Sequence, residues 1–124
     1  MKAVIFGLFI ILSGCASLSG LRSENRANIM SLSPGMDKSE VTKIMGNESY
    51  STIAGTISNP YRSELYRTQV GIVEVLMYYT DLKASDDAIT DDELTPVVLI
   101  DGKVDGWGWT YWDNMVHKYE IRIR

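Results

Sequence analysis

The sequence predicts an α+β fold in which one or two short N-terminal helices pack on an antiparallel sheet of three to five strands. Three observations carry this expectation. A helix with both ends specified lies between residues 36 and 46, the pattern beyond Gly46 changes to period two, and turn dipeptides separate the apolar runs that follow. At 124 residues the chain has the length of one domain. Its 45% hydrophobic and 23% charged residues place it with ordinary globular proteins rather than disordered ones.

Met1 and Lys2 precede ten uncharged apolar residues, Ala3 to Leu12. A membrane-spanning helix needs about 20 such residues, whereas the apolar region of an export signal runs about 7–15. Residues 1–14 are therefore read as a cleaved signal, ending on the small residues Ser13 and Gly14. Cys15 follows directly and is the one cysteine of the chain, so it has no partner for an internal disulfide. Residues 15–24, CASLSGLRSE, are small and polar and read as a tether. Ten flexible residues span roughly 17 Å, from about 5–6 Å times the square root of their number. A weak helix is expected from Arg22 to Ser31, with Leu21, Ile29 and Leu32 as its few apolar positions.

The next helix is the clearest element. Asp37 is placed to cap it, Glu40 stands three residues on as in a capping box, and Met36 and Val41 are spaced as a hydrophobic staple. Val41, Ile44 and Met45 share one face, Gly46 suits the C-terminal stop, and Pro34-Gly35 turns the chain just upstream. Strands are then expected at 64–70 and 72–80, separated by Gly71. Asp81 to Glu93 reads as an acidic loop, and Pro96 opens a strand over Val97 to Ile100. Asp101-Gly102 is a strong hairpin signal, from which a strand returns over Val104 to Trp112.

Alternation along that returning strand sends Asp105, Trp107, Trp109 and Tyr111 one way and Val104, Gly106, Gly108 and Thr110 the other. Two readings stay open for Trp107, Trp109 and Tyr111. They are an aromatic platform for a partner protein or glycan, or they are core rings packed against the helices, with the glycine face outward. The tail KYEIRIR alternates as well and reads as a charged edge strand.

Formal net charge is −4, and −5 once Lys2 leaves with the signal, against eleven remaining basic and sixteen acidic residues. No clustered basic face is present, so no nucleic-acid partner is expected. The acids Asp86, Asp87, Asp91, Asp92 and Glu93 lack the spacing and glycine of a calcium loop, and no metal is expected. His117, the one histidine, has no nucleophile-elbow pattern to serve. No catalytic residues and no enzyme activity are expected.

Leu12-Ser13-Gly14-Cys15 resembles the lipobox of bacterial lipoproteins. That resemblance implies cleavage between Gly14 and Cys15, a diacylglyceryl thioether on the Cys15 sulfur, and an acyl chain on the new amino terminus. At about 0.8 kcal/mol per buried methylene, two or three chains hold a protein to a membrane durably. Ala16 behind the cysteine implies outer-membrane delivery under the same resemblance.

Further along, two blocks resemble the SmpA/OmlA superfamily of BamE-type outer-membrane lipoproteins. One is Pro34-Gly35-Met36-Asp37-Lys38-Ser39-Glu40-Val41 ending in Ile44-Met45-Gly46. The other joins Glu74 to Tyr79, Thr95 to Val98, Asp101 to Val104 and Gly106 to Gly108, and is closer to a lipoprotein branch of related architecture than to BamE itself. The resemblance implies a single domain over 25–124 and a non-enzymatic accessory role in outer-membrane assembly or envelope maintenance. Its partners would be the membrane, through the anchor, and another envelope protein. No cofactor is implied beyond the covalent lipid. Two other functions fit the same sequence: glycan or small-ligand binding through the aromatic strand, and periplasmic inhibition by an architecture similar to β-lactamase-inhibitor modules.

Overall fold

The computed structural model describes residues 18–52, 55–83 and 88–123. The expected signal over residues 1–14, with the expected cleavage at Gly14 and lipidation at Cys15, lies outside the described residues. Within them the chain forms α1 (Leu18–Ile29), α2 (Lys38–Met45), β1 (Ser49–Thr52), β2 (Gly55–Ser58), β3 (Arg62–Thr68), β4 (Gly71–Tyr79), β5 (Leu94–Ile100), β6 (Lys103–Trp107) and α3 (Trp109–Lys118). β3 to β6 make an antiparallel sheet in sequential order, and β1 and β2 pair as a separate hairpin. The α+β class and the strand number of the main sheet match the expectation from sequence.

β4 sits inside the sheet and is buried on both faces, which is why IVEVLMYYT is nearly continuous in apolar character. Val73, Val75, Met77 and Tyr79 enter one core with Trp112 and Met115 of α3. Leu76 and Tyr78 enter a second core with Val41 and Met45 of α2. The sheet is therefore covered on two faces, where the sequence suggested helices on one. α1 serves both cores, with Leu21 in the first and Ile29 in the second.

α2 forms as its caps require. The Asp37 carboxylate accepts from the Glu40 N–H at 2.9 Å and from the Ser39 hydroxyl at 2.7 Å, and Gly46 ends the helix at φ +81°. The preceding turn has a second role. Gly35 N–H donates to Val104 O, Val104 N–H donates to Met36 O, both at 2.8 Å, and Lys38 N–H donates to Gly102 O at 3.1 Å. The segment Gly35 to Lys38 thus lies against the β6 edge of the sheet. β3, at the opposite edge, has no strand on its outer side among the described residues.

Two sequence expectations need correction here. Residues 18–24 are helical rather than tether, because Leu21, Asn25 and Ile29 recur at four-residue spacing and all three are buried. The tail 119–123 forms no strand: α3 continues to Lys118, and the Ile121 N–H bonds back to Val116 O at 3.0 Å.

Candidate functional site

The aromatic segment expected as one strand divides at Gly108, whose φ of +93° turns the chain from β6 into α3. The helical periodicity of Trp112, Met115, Val116 and Tyr119 prevails over the short alternation of Trp107, Trp109 and Tyr111. Trp107 packs into the α2-side core, whereas Trp109 and Tyr111 pack into the α3-side core. The three rings share no face and form no platform. The strand periodicity had already failed inside β6, where the register shifts between Val98 and Leu99: Val98 pairs with Gly106, but Leu99 pairs with Val104. The extra residue, Asp105, is a bulge, so Val104 and Trp107 fall on the same side.

Both rings of α3's first turns are tied down. Trp109 Nε1–H donates to Leu94 O at 2.8 Å. The Tyr111 hydroxyl donates to the Asp105 carboxylate, and its ring lies over Gly106. Burial first, and the Asp105 carboxylate second, push the Tyr111 phenol above the usual tyrosine range. The glycine face that the sequence left undecided is thus the face on which a helix lands.

The acidic loop also resolves into structure. Asp86 and Asp87 lie outside the described residues. Asp91, Asp92 and Glu93 form a single 3-10 turn, and the Glu93 carboxylate is buried, accepting from Lys83 N–H and Thr90 N–H at 2.9 Å each. Asp91 pairs with Arg62 at 2.9 Å. Among the described residues no three His, Cys, Asp or Glu side chains gather as a metal set. His117 is exposed in the last turn of α3.

A buried polar network, not foreseen from sequence, locks α1 across the end of β4. Asn25 is fully buried and donates to Tyr79 O at 2.8 Å and to Asn59 Oδ1 at 3.0 Å; Asn59 donates in turn to Met45 O at 2.8 Å. Arg22 lies 5.2 Å above the Tyr79 ring and donates to its hydroxyl, and Arg26 donates to Thr80 O. Polar residues at these positions read as solvent-facing in sequence, and nothing local distinguishes them.

Two concave surfaces adjoin the C-terminal end of α3. The larger, about 1100 Å³, runs along β3 and is lined by residues 64–69 and 119–123. The smaller, about 410 Å³, is bordered by Asp105, Tyr111, Asn114, Lys118 and Tyr119 over Met115. Tyr119 belongs to both. Along the larger groove β3 alternates half-buried Arg62, Glu64, Tyr66 and Thr68 with exposed Ser63, Leu65 and Arg67. Leu65 is 63% exposed, and Ile72 beside it on β4 is 46% exposed, so the α2-side face of the sheet is bare at this edge. This arrangement presents main-chain and apolar surface along β3.

A family model described as Protein of unknown function (DUF3192) matches residues 20–114. No curated protein and no solved structure gives a match. The matched span runs from the first turns of α1 into α3, and the segment 119–123 that lines the β3 groove lies beyond it.

Proposed function

The chain belongs to the family described as Protein of unknown function (DUF3192), and we propose that it is a lipid-anchored, non-enzymatic interaction module of the bacterial envelope. The carrying observation is the apolar run Ala3 to Leu12 leading into Leu12-Ser13-Gly14-Cys15, three residues ahead of the first described residue of α1, Leu18. Only Ala16 and Ser17 separate the proposed acylated residue from α1. In this reading the domain rests directly on the lipid surface rather than at the end of a ten-residue tether. The membrane is the outer one, facing the periplasm, and the protein partner is another envelope component in its assembly or maintenance. The SmpA/OmlA resemblance of the Pro34–Gly46 segment supports that role.

Intact-mass and N-terminal peptide mass spectrometry of the protein from membranes tests the reading. A chain beginning at Cys15 and carrying diacylglyceryl and N-acyl mass is expected. An unacylated chain retaining Met1 overturns it.

A further inference from the structure

We propose that the smaller cleft, beside the C-terminal half of α3, binds a small zwitterion: a short peptide with free ends, its ammonium at Asp105 and its carboxylate at Lys118. This goes beyond the envelope reading and does not depend on acylation.

The cleft owes its shape to the bulge in β6. In an unbroken strand Asp105 and Gly106 would point to opposite faces. The bulge turns both toward α3, so that the Tyr111 ring lies over Gly106 while the Tyr111 hydroxyl reaches the Asp105 carboxylate. From there α3 carries Tyr111, Met115 and Lys118 at four- and three-residue spacing, which sets them on one face in successive turns. Met115 is buried, and with half-buried Val70 and Ile100 it gives the cleft an apolar floor.

The two ends of the cleft make opposite demands. At one end the Tyr111 phenol donates its proton to Asp105. Burial first, then that carboxylate and the Tyr119 phenol, hold the Tyr111 proton in place above the usual tyrosine range. What this end still offers is acceptor capacity: the lone pairs of the phenol oxygen and the second Asp105 oxygen, which has no partner among the described residues. An ammonium, with three donors, matches it, and an anion is repelled. At the other end Lys118 forms no ion pair among the described residues, and its ammonium lies 5.3 Å over the Tyr119 ring. Lysine supplies donors only, so this end takes a carboxylate. Asn114, about one turn from each end, offers both a donor and an acceptor, as a peptide group requires.

Length then selects the size of the ligand. From Tyr111 to Lys118 the helix rises about 10 Å, at about 1.5 Å per residue. An extended chain covers about 3.3–3.6 Å per residue, so about three residues bridge that distance. A free amino acid is too short to meet both ends, and an internal segment of a protein brings neither terminal charge. The cleft volume of about 410 Å³ lies in the range of small-molecule sites.

The probe is alanyl-leucyl-alanine, titrated into the nitrogen-labelled full chain in detergent and followed by NMR. Saturable shifts centred on Gly106, Asn114 and Tyr119 are expected. Acetylating the amino end, or amidating the carboxyl end, should weaken binding about tenfold, the scale of one lost charge-assisted hydrogen bond. Asp105→Asn should abolish the penalty of acetylation, and Lys118→Gln the penalty of amidation; both positions are exposed, so the circular dichroism of the fold should persist. Asp105→Asn also alters the tie to Tyr111, whereas Lys118→Gln leaves that bond alone and keeps the test sound if the first variant loosens α3. The proposal is overturned by the absence of saturable shifts up to the solubility of the peptide. It is equally overturned if blocked peptides bind as well as the free one, or if amidation still weakens binding to Lys118→Gln. Anchoring is read separately from the N-terminal mass, so failure of either claim leaves the other measurable.

Discussion

A methyl group placed on Gly106 would lie 2.7 Å from Cε2 of the Tyr111 ring, so the absent side chain at Gly106 is what allows α3 to settle on β6. The contact joins a strand to the helix that follows it by a turn at Gly108. It also brings the Tyr111 hydroxyl to the carboxylate of the bulged residue, Asp105.

Gly106→Ala is therefore expected to destabilise the fold by about 1–3 kcal/mol, the usual cost of overpacking a fitted contact. Urea unfolding measures it. In a Tyr111→Ala background the same change should cost much less, because the ring it strikes is gone; an undiminished cost would show that the strain arises elsewhere.

Trp112 is 1% exposed and its ring centroid stands 5.7 Å from that of Tyr66. Trp112→Ala should cost about 3–5 kcal/mol by leaving a large cavity. Trp109→Phe keeps most of the ring's packing but removes the donor to Leu94 O, and should cost about 1 kcal/mol. Thermal unfolding of the two variants is expected to rank them in that order.

Asn25 ties α1 to Tyr79 of β4 and to Asn59 through its amide, so Asn25→Ala removes the donor to Tyr79 O and to Asn59 Oδ1 in a dry site, while Asn59 keeps its bond to Met45 O. A loss of about 1–3 kcal/mol is expected, against little effect from Ser23→Ala on the exposed side of the same helix. The double variant Asn25→Ala/Asn59→Ala should cost less than the sum of the single changes, since the two residues share one network.

The pH dependence at α2 has a definite sign. The Glu40 backbone N–H first, and the Ser39 hydroxyl second, hold the Asp37 carboxyl below its ordinary value of 3.8. A depressed folded value means that the cap's contribution is complete above the ordinary carboxylate range and is lost as pH falls through the depressed one. Asp37→Asn retains a capping oxygen without the titration. The stability difference between the native chain and this variant should be flat near neutrality. It should shift against the native chain below about pH 4, near the carboxyl's unfolded value. Urea midpoints across acidic pH measure it, and a constant difference would remove Asp37 as the titrating group.

The β3–β4 turn shows how far local signals carried. The sequence placed strands at 64–70 and 72–80 around Gly71, and the structure pairs Thr68 with Gly71 across Gln69 and Val70. The hairpin at Asp101-Gly102 formed as expected, with φ of +49° and +81° at its two residues. By contrast, nothing in SYST or GTIS announced the hairpin of β1 and β2, among whose described residues Tyr50 is the one buried side chain. The larger groove's inner wall, β3, was legible as a strand, but its place at the edge of the sheet was not. Nor was the cover on the other edge, where residues 35–38 cross to β6 from a distant part of the chain.

By itself the sequence determined what is settled within a few residues: the capped helix from Asp37 to Gly46, the turn at Asp101-Gly102, and the identity of the central strands. Caps and turns close hydrogen bonds between neighbours, and strand alternation repeats every second residue, so their physics is written locally. Only the tertiary structure decided that the aromatic run splits into strand and helix, that Asn25 is buried, and that both faces of the sheet are covered. Those outcomes rest on contacts between segments tens of residues apart. A ring such as Tyr111 gains equally from burial in a strand or a helix until a surface shaped like that at Gly106 is there to receive it.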